Sequence, residues 1–135
     1  MNSHRNPQAI ALIVEDDPLQ SVLGAAMLEE FDLSVRQVPT AEDAIEHLRD
    51  RSGEVTVVVA DVNLPGAMDG ISLAQRVAVL WPGISVIVTS GDPGERLCCL
   101  PDRCVYVPKP WRALDIVSAA ERAARADHSV HAVRL

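Results

Sequence analysis

At 135 residues the chain suffices for one compact domain and is too short for two. Apolar residues make up 48%, which excludes a disordered chain, and a net charge of −7 argues against a nucleic-acid surface, because a polyanion must be neutralised by Lys and Arg. Cys98, Cys99 and Cys104 are odd in number and form no CxxC pair, so a disulfide framework or zinc site is excluded and they read as reduced thiols of a cytoplasmic protein.

No apolar run approaches a membrane span, and four scattered aromatics, Phe31, Trp81, Tyr106 and Trp111, make no base-stacking platform. Residues 1–8 are polar. Ala9 to Val14 is an unbroken apolar run, the pattern of a strand buried on both faces, and Glu15, Asp16 and Asp17 follow it at once. Pro18 suits the first turn of a helix whose Leu19, Val22, Leu23, Ala26 and Met27 recur at helical spacing, so these five are expected to face inward. Leu33 to Val38 alternates and reads as an edge strand. Thr40 caps a second helix with Ala41, Ala44, Ile45 and Leu48 buried, and Arg51-Ser52-Gly53 ends it.

Val55 to Ala60 is a run of β-branched apolar residues with no polar alternation and ends in Asp61. A loop rich in Pro and Gly follows, then a third helix from near Gly70 with Leu73, Ala74, Val77, Leu80 and Trp81 inward, stopped by Pro82-Gly83. Ile84 to Val88 is a fourth strand, ending in Thr89-Ser90-Gly91. Pro93, Gly94 and Pro101 leave room for only a short fourth helix. Cys104 to Val107 is the fifth strand, Pro108-Lys109-Pro110 punctuates it, and a last helix is expected from about Trp111 to Arg125 with Leu114, Val117 and Ala124 inward. Residues 8–125 thus form one domain and 126–135 a tail, whose His128 and His131 read as solvated.

Strands alternating with helices predict an α/β, doubly wound, five-stranded parallel sheet of the flavodoxin-like kind, order 2-1-3-4-5. In such sheets ligands sit at the carboxyl ends of the strands. Those ends carry Glu15 and Asp16, then Asp61, Thr89 and Lys109. Like carboxylates about 4 Å apart repel by roughly 4 kcal/mol at an effective dielectric near 20, so three of them in one crevice call for a compensating cation. An all-oxygen donor set without Cys or His suits magnesium and not zinc or copper.

In combination, Val14-Glu15-Asp16, Asp61-Val62-Asn63-Leu64-Pro65, Asp69-Gly70, Val88-Thr89-Ser90 and Val107-Pro108-Lys109-Pro110-Trp111 resemble the response-regulator receiver domain of two-component signalling, in its stand-alone, chemotaxis-regulator-like form. The resemblance implies a phosphoacceptor Asp61 and a Mg2+ ion (or Mn2+) held by Glu15, Asp16, Asp61 and the backbone carbonyl of Asn63. It further implies Thr89 and Lys109 as phosphoryl-stabilising groups, Tyr106 as the aromatic switch residue, and a cis peptide at Lys109-Pro110. The implied partners are a histidine kinase or histidine phosphotransfer protein as donor and a protein target, with no membrane or direct nucleic-acid role. Two features depart from the family pattern: the stunted fourth helix, which alters the usual output face, and a loop from Pro65 to Gly70 that looks one residue long.

Three rivals read less well. An aspartyl-phosphate phosphatase enzyme usually carries a second Asp two positions after its nucleophile, where this chain has Asn63. A phosphorylation-independent pseudo-receiver would lack one of the acids, the Thr or the Lys, and a flavin carrier's phosphate would be repelled by Glu15-Asp16-Asp17.

Overall fold

The computed structural model describes residues 10–92 and 95–122. The tail and its histidines, Ala124 and Arg125 lie outside them. The elements are β1 (Ile10–Val14), α1 (Pro18–Glu29), β2 (Ser34–Val38), α2 (Ala41–Arg51), β3 (Val55–Asp61), α3 (Gly70–Leu80), β4 (Ser85–Ser90) and β5 (Val105–Pro108), then helix α4 over residues 113–122. All strand pairs are parallel and their order is β2-β1-β3-β4-β5, as the alternation of strands and helices predicts.

Alternate residues of each strand face opposite layers. Leu12, Val14, Val58, Ala60, Val86 and Val88 point to one core with Ala44, Leu48, Leu73 and Val77 of α2 and α3. Ala11, Ile13, Val57, Val59 and Ile87 point to the other, with Ala25 and Leu28 of α1 and Ile116 and Ala119 of α4. The starts of α1, α2 and α3 are each fixed by a side chain that accepts from a backbone N–H left unpaired in the first turn. Asp17 accepts from Leu19 and Gln20, Thr40 from Asp43, and Asp69 from Ser72.

The predicted inner face of α1 is corrected. Leu19, Val22 and Leu23 are 66, 58 and 54% exposed, and the helix is seated on Ser21, Gly24, Ala25 and Leu28. Both stripes have helical spacing, and close approach decided between them. The Trp111 ring lies where a side chain on Gly24 would stand, with Cη2 only 3.0 Å from that position. A bulkier stripe could not come so near the sheet. Buried Ser21 meets its polar need by donating to Gln37 Oε1 at 2.7 Å.

Two smaller expectations also fail. Leu80 is 51% and Leu114 62% exposed, because Ile71 in α3 and Ala113, Ile116 and Ala119 in α4 take the inner positions.

The fourth crossover contains no α-helix among the described residues. It makes one 3-10 segment, Glu95–Cys99. That segment is tied to α3 by Gln75, whose Nε2 donates to the Cys99 carbonyl at 2.8 Å. Arg103 donates to the Pro82 carbonyl, and Leu97, Leu100 and Cys104 lean on the α2–α3 core. The stunted fourth helix expected from its prolines is thus present in its shortest form.

Candidate functional site

Register builds the site. Val14 of β1 lies opposite Ala60 of β3, so the next residues, Glu15 and Asp61, leave the sheet side by side. Asp61 lies opposite Thr89 of β4, and Thr89 opposite Val107 of β5, two residues before Lys109. Four strands therefore deliver their polar ends to one crevice of about 410 Å³, which Glu15, Asp61, Thr89 and Lys109 line together.

Lys109 is the hub. Its Nζ donates to Glu15 Oε1 at 2.8 Å, to Asp61 Oδ2 at 2.9 Å and to Gln20 Oε1 at 2.6 Å. The backbone aims it: the Lys109 N–H donates to the Ser90 carbonyl at 3.0 Å, and the Lys109–Pro110 peptide is cis. Burial works to lower the ammonium pKa, but hydrogen bonds to Glu15 and Asp61 and their charges outweigh it, and the net direction is upward. Lys109 is thus held charged at neutral pH.

The carboxylates are placed as firmly. The other Asp61 oxygen, Oδ1, accepts from the Asn63 N–H at 3.0 Å. Glu15 is 8% exposed; its Oε2 accepts from the Asp17 N–H at 3.1 Å. Asp17 itself is spent as the cap of α1. Glu15, Asp16 and Asp61 each offer an oxygen within 4.8 Å of the others'. Three hard oxygen donors at that spacing, one of them exposed, fit an ion that keeps several waters, such as Mg2+.

Behind the acids the backbone is crowded. The Gly70 N–H donates to the Val62 carbonyl at 2.9 Å, and a Cβ on Gly70 would stand 2.1 Å from the Asp61 carbonyl oxygen. The first turn of α3 therefore presses directly on the end of β3. Thr89 is 2% exposed and lines the crevice. Tyr106 is half-buried, and its hydroxyl donates to the Ser90 carbonyl at 3.1 Å, one residue beyond Thr89.

All the predicted side chains thus gather at this edge, with Tyr106 one strand position behind the others. The sequence reading missed Gln20, whose carbonyl oxygen is on Lys109. Its signal was a polar side chain in the first turn of α1, directly after the acids that end β1.

Comparison with known proteins identifies the family. The family model described as "Response regulator receiver domain" matches residues 11–121. The chain is 30% identical over 106 residues to the sensor kinase CckA of Brucella abortus, covering 76% of this chain and 11% of that protein. It is 32% identical over 109 residues to the two-component response regulator ARR11 of Arabidopsis thaliana, covering 78% and 20% respectively. The chain therefore spans about a tenth to a quarter of the length of the curated relatives it matches. Among solved structures, a response regulator receiver domain protein from Clostridium thermocellum superposes with a TM-score of 0.74 at 18% identity, covering 90% of this chain and 98% of that one. A CheY-like receiver domain protein from Methanospirillum hungatei does so with 0.74 at 21% identity, covering 90% and 97%. At such identities the likeness is one of fold.

Proposed function

This chain belongs to the response regulator receiver domain family, and we propose that Asp61 is the residue that takes the phosphoryl group. The family places the chain as a phosphoacceptor module of two-component signalling; receiver domains are signalling modules that generally bind Mg2+ at an acidic pocket. The observation that carries the residue assignment is the convergence of Glu15, Gln20 and Asp61 on one Lys109 ammonium.

The chemistry follows from charge. An anionic carboxylate must approach an anionic phosphoryl group, so positive charge and hydrogen-bond donors must await the equatorial oxygens. An Asp61 oxygen forms the new O–P bond. The donor's P–N bond breaks if it is a phosphohistidine, its P–O bond if it is acetyl phosphate, and the bonding pair leaves with the imidazole or the acetate. Lys109 follows the charge from Asp61 Oδ2 to the phosphoryl oxygens, and the Thr89 hydroxyl donates a further hydrogen bond. Glu15, Asp16, Asp61 and the Asn63 carbonyl would hold the metal, which would add positive charge to that of Lys109 when bound. Hydrolysis of the acyl phosphate by water resets the module, so its own turnover is limited to slow self-dephosphorylation.

The donor is a histidine kinase or a histidine phosphotransfer protein. Exposed Leu19, Val22 and Leu23 on α1, beside the crevice, offer such a protein an apolar contact. Tyr106 is the switch: Thr89 shifts toward the phosphoryl group, and the ring, released from the Ser90 carbonyl, turns inward. Tyr106→Ala is then expected to bind the phosphoryl mimic beryllofluoride while losing the accompanying change in hydrogen exchange at β5 and residues 95–99. An unchanged exchange response would sink that role.

The direct test is incubation with acetyl phosphate and Mg2+, followed by intact-mass and peptide analysis. One added phosphoryl group is expected, labile to hydroxylamine and located in the peptide that contains Asp61. No mass gain, or a gain mapped elsewhere, overturns the proposal.

A further inference from the structure

A lysine ammonium has three N–H donors and no more. In Lys109 all three are committed, to Glu15 at 2.8 Å, Asp61 at 2.9 Å and Gln20 at 2.6 Å. A phosphoryl group on Asp61 takes over the donor now spent on Asp61 Oδ2, and its three terminal oxygens compete for a second one. The acceptor that stays beside it, Glu15, is a carboxylate, which adds an ion pair to its hydrogen bond. The third, Gln20, is a neutral amide on an exposed residue, and it is the one most easily given up.

We propose that Gln20 is a positioning residue, a latch that holds the third donor of Lys109 in the resting protein and yields it to the phosphoryl group. The proposal rests on the phosphoacceptor reading above. Its consequence reaches α1. Gln20 Nε2 donates to Asp17 Oδ2 at 3.3 Å, and Asp17 Oδ1 caps the N–H groups of Leu19 and Gln20 at 3.0 and 3.3 Å. Releasing the Gln20 side chain therefore loosens the first turn of α1, the turn that presents Leu19 next to Val22 and Leu23. Occupancy of the crevice is thereby reported to that apolar surface.

Two variants with opposite expected signs separate a latch from a merely structural side chain. Gln20→Met keeps length and apolar stem but offers Lys109 no comparable acceptor. Gln20→Glu offers a charged one. Binding is read from Trp111, which lines the same crevice, as fluorescence titrated first with Mg2+ alone and then with beryllofluoride at saturating Mg2+. Gln20→Met is expected to tighten beryllofluoride binding about threefold to tenfold, the net worth of one hydrogen bond no longer broken, with Mg2+ affinity shifted less than about twofold. Gln20→Glu is expected to weaken it by about tenfold or more, through a stronger hold on Lys109 and repulsion of the anion. Gln20→Met binding beryllofluoride no better than the wild type overturns the latch while leaving the phosphoacceptor reading standing. A wild type that binds no beryllofluoride and takes no phosphoryl group overturns both, and that failure is recognised because it appears before any substitution is made.

Discussion

Asp61→Asn takes up no phosphoryl group from acetyl phosphate under conditions that convert the wild type. The substitution keeps the shape at the end of β3, and the side-chain oxygen still accepts from the Asn63 N–H that now lies 3.0 Å from Oδ1. What is lost is the anionic oxygen that must form the bond to phosphorus; an amide oxygen is a far weaker nucleophile and cannot give a stable acyl phosphate. Removing one of three clustered carboxylates also removes one candidate metal ligand, so Mg2+ affinity falls in the same variant. Intact-mass analysis and a Mg2+ titration check the two effects on one sample. Phosphoryl uptake persisting in Asp61→Asn would move the acceptor to Glu15 or Asp16, the neighbouring acids, and would require a different account of Lys109.

Gly70→Ala lowers stability by about 3 kcal/mol or more, at the upper end of what overpacking costs. Helix propensity alone predicts a gain for Gly→Ala inside a helix. Here the new methyl would stand 2.1 Å from the Asp61 carbonyl oxygen, 2.8 Å from its carbon and 2.9 Å from the Val62 Cα. All three are backbone atoms of the strand end that carries the site, so no side chain can turn aside to make room. β3 and α3 must separate, and the Gly70 N–H bond to the Val62 carbonyl goes with them. Urea denaturation is expected to show the midpoint falling by more than about 1 M, for a slope typical of small domains. Gly53→Ala is the control: nothing lies within 4 Å of a Cβ there, and its stability stays within about 0.5 kcal/mol of the wild type. Equal stability for Gly70→Ala would show that the approach of α3 to β3 is looser than the structure has it.

The sequence places Gly53 at the end of α2 and Gly70 at the start of α3, but neither position tells how near another backbone comes. Only the packing of α3 against the end of β3 makes Gly70 irreplaceable. The same holds for α1, where Leu19-Val22-Leu23 and Ser21-Gly24-Ala25-Leu28 are stripes of equal periodicity. Hydrophobicity favoured the first stripe, and the space left beside Trp111 selected the second. The side chain of Gln20 was overlooked for a related reason: its partner is 89 positions away on the far side of the sheet order.

From the chain alone came the five strands, their parallel order, and the list of polar residues that close them. Unbroken apolar runs specify strands covered on both faces, and a carboxylate, hydroxyl or ammonium cannot follow such a run without leaving the core. Folding alone settled which helix faces touch the sheet, that the fourth crossover contracts to the 3-10 segment Glu95–Cys99, and that Lys109 shares its three protons among Glu15, Gln20 and Asp61. Those outcomes depend on distances of a few tenths of an ångström between segments remote in sequence, and periodicity carries no information at that scale.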